Sequence, residues 1–272
     1  MNDSQIWRRV QGRYQRFNAD LFCRRPLRIR TDVPIISFTF DDFPRSALSM
    51  GGAILKRYGQ TGTYYVSCGL MGSHGPGGAM LTREDIETLL RDGHELGCHT
   101  YDHLDSWASR PDQFEESIVK NQRALSKMCP GAAFKTFAYP ISLPRPQNKK
   151  RAERYFACCR CGGQKYNVKR ADGNYLCSFF LEQSRDNPEA VRGLIEESCA
   201  AKGWLIFSTH DISETPSPWG CTPGYFENVV RWSADSGARI LPVYQAWQVL
   251  SAQMEPQPGT RSVAFELERK AR

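Results

Sequence analysis

The sequence predicts a single α/β barrel of about seven parallel strands with helices packed outside. Three observations carry this reading. Short apolar, β-branched or aromatic runs alternate with longer amphipathic stretches along most of the chain, the pattern of a parallel sheet covered by helices. The 272 residues supply material for one large core, and α/β barrels commonly reach about that size. No Pro/Ser-rich linker divides the chain, and no repeat of solenoid period runs through it.

Taken in order, residues 34–42 (PIISFTFDD) form a continuous apolar run ending in two acids. The segment 46–59 suits a helix that stops at Gly59, and 61–69 (TGTYYVSCG) is the next strand, followed by a Gly-rich loop, 72–78. Residues 81–93 read as a helix with Thr82 as N-cap, Asp85 at the capping-box position and Gly93 as the stop. A short strand (94–100, HELGCHT), a helix (112–128), a strand (134–140, FKTFAYP) and a short helix (146–155) follow. FACCRC (156–161) and LCSFFLE (176–182) are further strands. The helix at 187–203 has Asn187 as cap and Pro188 in its first turn. WLIFSTHD (204–211) is a strand, 222–237 a helix, and ARILPVYQAW (238–247) closes the pattern. The organisation expected is therefore a basic lead-in over 1–32, the barrel over 33–252 and a charged, Pro-containing tail over 253–272.

Composition restricts the class. A hydrophobic share of 40% with 24% charged residues is that of a soluble globular protein. No stretch approaches the roughly 20 apolar residues needed to cross a bilayer. The opening MNDSQIWRRVQGRYQRF lacks the h-region and cleavage site of a secretory signal, so the expected location is cytoplasmic. Ten cysteines are scattered. Cys158 and Cys161 form one C-x-x-C, but no second pair or histidine follows at zinc-site spacing. YFACCRC reads as a buried strand with reduced cysteines serving as small hydrophobes. The net charge of +7 is concentrated in two basic blocks, Arg8–Arg30 and Arg145–Arg170. Such blocks serve anionic substrates, membranes or nucleic acid, or are simply solvated. No nucleic-acid motif accompanies them, and no nucleic-acid partner is expected.

In a parallel barrel the chemistry sits where strands end at their carboxyl side. The residues ending these strands are Asp41-Asp42, His99, Tyr139-Pro140 and His210-Asp211. Aspartate is depleted in strands and costly to bury unless paired or bound to metal, so two in succession need a reason. His99-Thr-Tyr-Asp-His103 is H-x-x-x-H, which on a helical turn puts both imidazoles on one face. Imidazoles with a carboxylate are a donor set for zinc and related cations, and three protein ligands leave a position open. Asp42, His99 and His103 are thus the candidate ligands and Asp41 the adjacent base. His74 reads as a loop residue, His94 as packing, and His210 as the remaining catalytic candidate.

These motifs resemble the polysaccharide deacetylase family, the NodB homology group also called carbohydrate esterase family four. The resemblance covers about residues 33 to 250. FTFDD is similar to its first motif, with Asp41 at the base position and Asp42 at the ligand position. HTYDH is similar to its H-[ST]-x-x-H motif, with His99 and His103 as ligands. FAYP is similar to the third motif, THD supplies His210 for the last, and GTYYV looks like the family's second strand. The resemblance implies a distorted (β/α) barrel, NodB-like and related to the TIM barrel. It implies hydrolysis of an N-acetyl amide with one divalent cation, zinc first, with cobalt, nickel and manganese as alternatives. It also implies that Tyr139, Pro140 and Ile141 face substrate, the Ile141 N–H holding the oxyanion. Two positions depart from the pattern. The family's R-x-P-Y-G arginine, which orients the base, is absent from Ala138-Tyr139-Pro140-Ile141-Ser142. The apolar residue usual two places before the last histidine is Ser208. No counterpart of the family's D-x-x-x-W run is found.

The function expected is removal of N-acetyl groups from a saccharide containing amino sugars, with anionic or lipid-linked acceptors included. The alternatives are release of formyl or opening of another linear or cyclic amide on the same barrel, or an inactive carbohydrate-binding member.

Overall fold

The computed structural model describes residues 3–141 and 143–253. The tail from Met254 lies outside the described residues. Helix α1 (Asp3–Leu21) leads into β1 (Pro26–Ile29), and the apolar run that follows becomes β2 (Ile35–Phe40), buried along its whole length. A wide helical turn at Ala47–Gly52 runs into α2 (Ala53–Arg57), and the chain leaves it through Gly59 at φ +68°, a backbone region that favours glycine. Strand β3 (Thr63–Val66), a small hairpin of β4 (His74–Gly75) and β5 (Gly78–Ala79), and α3 (Arg83–Arg91) come next. Thr82 and Asp85 close a reciprocal capping box on α3. Then follow β6 (Glu95–Cys98), α4 (Pro111–Met128), β7 (Thr136–Ala138), α5 (Pro146–Ala152), β8 (Cys158–Cys161) and β9 (Lys169–Asp172). The last third holds β10 (Leu176–Cys177), β11 (Phe179–Phe180), α6 (Pro188–Ala200), β12 (Trp204–Thr209), α7 (Pro223–Asp235), β13 (Arg239–Ile240) and α8 (Val243–Ser251).

The strands β10-β8-β7-β6-β3-β2-β12-β11 lie side by side, every pair parallel, with β13 added beside β2. β10 and β11 are halves of one run, so Leu176 and Cys177 pair with β8 while Phe179 and Phe180 pair with β12. That run bridges the two edges and nearly closes an eight-stranded parallel barrel, which removes the exposed edges a sheet otherwise offers. Aromatic rings pack between the strands and the helices outside them: Phe40 stacks on Tyr64 at 4.5 Å and lies 5.6 Å from Phe226 of α7, and Phe137 stacks on Phe156 at 5.0 Å and lies 5.8 Å from Phe114 of α4.

Four features add to or differ from the sequence reading. The lead-in is structured, with a long α1 and with β1 pairing antiparallel to β9. The closing segment is only a two-residue strand before Pro242 opens α8. His99 and His103 do not share a helical turn, because Thr100 and His103 adopt left-handed φ of +58° and +52° and the segment coils. The second basic block does not form one charged face. Lys149 is buried against Asp172, and Arg151 and Arg154 pair with Glu115. All ten cysteines are free thiols, and burial pushes Cys159 and Cys161 up to about 12, which suits a packing role.

Candidate metal centre and catalytic site

The carboxyl ends of β2 and β6 bring three donors together. Asp42 follows β2 at φ +61°, which turns its carboxylate away from the strand direction. Its Oδ1 lies 3.5 Å from His99 Nε2 and 3.0 Å from His103 Nε2. The three donor atoms fall within 4.8 Å of one another. His99 Nδ1 sits 2.8 Å from the Ala138 carbonyl oxygen. A carbonyl only accepts, so Nδ1 carries the proton and Nε2 presents a lone pair to Asp42. Burial, the largest influence, lowers His99 to about 3, so the ring is neutral at working pH. Burial also pushes Asp42 upward, but its contact with His103 and the fields of His99, His103 and His210 outweigh this and hold it below the usual carboxylate range. A carboxylate oxygen facing a neutral imidazole lone pair is an unfavourable meeting of acceptors unless a cation lies between them. Ionised carboxylate and neutral imidazole are also the states that ligate metal. The donor set therefore fits one divalent ion.

Asp41, the last residue of the apolar run, is almost fully buried. Its Oδ1 accepts from Arg160 Nη2, and its Oδ2 accepts from Ser208 Oγ at 3.2 Å. Arg160 stands on β8, fully buried, with its guanidinium 4.6 Å from the centre of the Tyr65 ring. Burial lowers its pKa to about 9, which leaves it cationic at neutral pH beside the Asp41 carboxylate. In the sheet Arg160 is the direct register partner of Ala138, the position where the resemblance leads one to look for an arginine. Sequence reasoning missed it because it sits inside FACCRC, among cysteines, and was counted with the basic block. The available signal was an arginine inside an otherwise apolar strand, since a buried guanidinium needs a carboxylate partner. Ser208, the second departure, is likewise occupied with Asp41.

His210 closes the other side. Its Nε2 is 4.0 Å from Asp42 Oδ2, and its Nδ1 is 3.3 Å from the Trp219 carbonyl oxygen. Burial lowers its pKa. Asp211 is turned away, accepting from Ser217 N at 2.8 Å and Ser217 Oγ at 2.5 Å. Of the third-motif residues, Tyr139 points its ring into the aromatic core, 4.9 Å from Phe137 and 6.3 Å from Phe114, and Pro140 is buried. Among the described residues of that run Ile141 alone is exposed, at 71% and φ +62°. Beside His103 a groove opens along α4, lined among others by Asp102, Leu104, Asp105, Gln113, Glu116 and Lys120.

The sequence model of the polysaccharide deacetylase family matches residues 28–155, from within β1 to just beyond α5, and includes all three donors. Over that segment, a little under half of its length, the chain is similar to the polysaccharide deacetylase family. Solved structures agree in fold at low identity. A protein assigned as a polysaccharide deacetylase from Mycobacterium smegmatis superposes with a TM-score of 0.62 at 16% identity, over 87% of this chain and 98% of that one. A family 4 acetyl xylan esterase from Clostridium thermocellum, in complex with a cobalt ion, gives 0.54 at 19% identity, over 79% and 91%. A carbohydrate esterase family four pseudoenzyme from Bacillus anthracis gives 0.56 at 12% identity, over 80% and 66%. Deacetylase-family barrels thus include both working enzymes and pseudoenzymes, and the residues of each chain decide which it is.

Proposed function

We propose that this chain is a metal-dependent hydrolase that removes N-acetyl groups from a saccharide containing amino sugars, releasing acetate and a free amine. The observation that carries the reading is the cluster of Asp42, His99 and His103 beside a buried Asp41 gripped by Arg160. A divalent cation held by the three donors, zinc first, supplies acidification of water and polarisation of the acyl carbonyl. Asp41 accepts the proton of the attacking water, its charge balanced by Arg160 and its second oxygen fixed by Ser208. The backbone N–H of Ile141 donates to the developing oxyanion. His210 delivers a proton to the departing amine, which is otherwise a poor leaving group. The groove beside His103 mixes carboxylates, an amide and one lysine, groups that hydrogen-bond sugar hydroxyls and give no preference for an anionic acceptor.

The test is metal analysis of the purified chain, then a release assay on chitooligosaccharides, peptidoglycan fragments and lipid-linked amino sugars. Acetate release that depends on the cation and disappears in Asp41→Asn supports the reading. Formate in place of acetate redirects it to deformylation, and no release from any acceptor by metal-loaded protein overturns it.

A further inference from the structure

Helix α1 gives the barrel only one face. Ala19 is fully buried on that face, and Lys149 Nζ grips the end of the helix by donating to Ala19 O at 2.6 Å and Phe22 O at 2.9 Å. The opposite face carries Trp7, Val10, Tyr14, Phe17 and Leu21, exposed at 73, 51, 61, 62 and 53%. Their spacing aligns them in one apolar row about 21 Å long. Among the described residues, six of the eleven exposed large hydrophobics lie between Trp7 and Phe22, so this is a concentrated surface rather than scatter.

Charge accompanies the row. The first thirty residues hold eight arginines and two aspartates, in a chain whose whole net charge is +7. Arg13 is exposed beside the row. On the ribbon that follows α1, exposed Arg28 of β1 stands directly across from exposed Arg170 of β9. Like charges directly opposite are unfavourable, and an anionic surface relieves them. Among the described residues no helix is long and apolar enough to cross a membrane. An apolar row containing Trp, Phe and Leu, flanked by arginine, suits a helix lying in a lipid headgroup layer.

We propose that α1 docks this protein on an anionic lipid surface, with the row from Trp7 to Leu21 inserted and the arginines at the headgroups. A second copy of the chain fits less well. The row covers only two heptads, and the positions flanking it are Gln11, Arg13, Asn18 and Asp20, not the complementary Glu and Lys that pair helices. Tyr14 lies 6.0 Å from the Trp107 ring, four residues beyond His103. A docked α1 therefore holds the loop leading from the metal cluster next to the lipid. Binding is read without turnover, so the result stands apart from the reaction proposed above.

The experiment is co-sedimentation of the full chain with phosphatidylcholine vesicles, with and without a minority of phosphatidylglycerol. The wild type should sediment with the anionic vesicles and not with the neutral ones, and salt should release it. Trp7→Ser/Phe17→Ser and Arg13→Glu/Arg28→Glu, both on exposed positions, should each lose about tenfold or more in partitioning with an unchanged melting temperature. The proposal is overturned by equal partitioning to both vesicles, by no binding to either, or by variants that bind like wild type. It is also overturned if sedimentation velocity shows a dimer that Trp7→Ser/Phe17→Ser dissolves, because the row then meets a second copy.

Discussion

Two buried cation–carboxylate pairs hold this molecule, and they are built differently. At the root of α1, Lys149 Nζ reaches Asp172 Oδ2 at 2.7 Å and the carbonyls of Ala19 and Phe22, so all three ammonium donors are occupied. Asp172 Oδ1 in turn accepts from Arg25 N and Asn174 N. At the rim of the barrel, Arg160 meets Asp41 through Nη2 while its Nε is buried without a hydrogen-bond partner among the described residues. A fully satisfied pair fixes chain segments relative to one another. An incompletely satisfied one next to three convergent candidate donors suits the chemistry proposed above.

The contrast yields predictions in order of size. Asp42→Asn and His103→Ala should each lower bound cation and abolish hydrolysis, since one of three donors is lost or weakened; full metal occupancy in both variants would remove the ligand assignment. His210→Ala should keep the metal and lose about 10²–10⁴ in rate. Burial lowers the pKa of His210, and a neighbouring cation lowers it further. Activity that needs the protonated ring must fall as pH rises through that lowered value, so the alkaline limb of kcat/KM should lie below 6.5 and vanish in the variant. A limb that survives in His210→Ala belongs to another group.

Arg160→Lys keeps the charge but loses the planar fork. It should cut kcat by about a hundredfold through misplacement of Asp41, with KM and metal content unchanged. Wild-type kcat in Arg160→Lys would mean that the fork is not needed. Ser208→Ala should cost about fivefold in kcat, the loss of one ordinary hydrogen bond of about 1 kcal/mol. Lys149→Met completes the comparison. It should lower unfolding free energy by about 3–5 kcal/mol, as expected when one partner of a buried pair is removed, yet leave kcat per folded molecule unaltered. If Lys149→Met lost turnover while remaining folded, the distinction between the two pairs would collapse.

The strands were legible because burial on both faces writes them as continuous apolar runs, as in PIISFTF and WLIFST. Their carboxyl ends then placed Asp41, Asp42, His99 and His210 on one rim without further information. Helix α1 was illegible because its apolar row faces away from the core, and a pattern read for burial has no term for that. α8 was hidden by the brevity of β13, which Pro242 ends after two residues. The H-x-x-x-H spacing suggested a helical turn, whereas left-handed Thr100 and His103 deliver the same rings from a coil. Arg160 was the hardest to see, standing 119 positions from the aspartate it serves.

That distance along the chain is short across the sheet. Neighbouring strands lie about 4.8 Å apart, less than the span of an extended arginine side chain. A guanidinium can therefore be supplied from β8 at the position paired with Ala138, instead of from β7 itself, and still arrive at the same carboxylate. A scan that follows the backbone scores this protein as missing a part. A scan that steps sideways from strand to strand finds the part in place. In a barrel, where each strand end has two flanking neighbours, a lost catalytic partner can be recovered by a single substitution next door, so linear motif gaps are weak grounds for declaring such a chain inert.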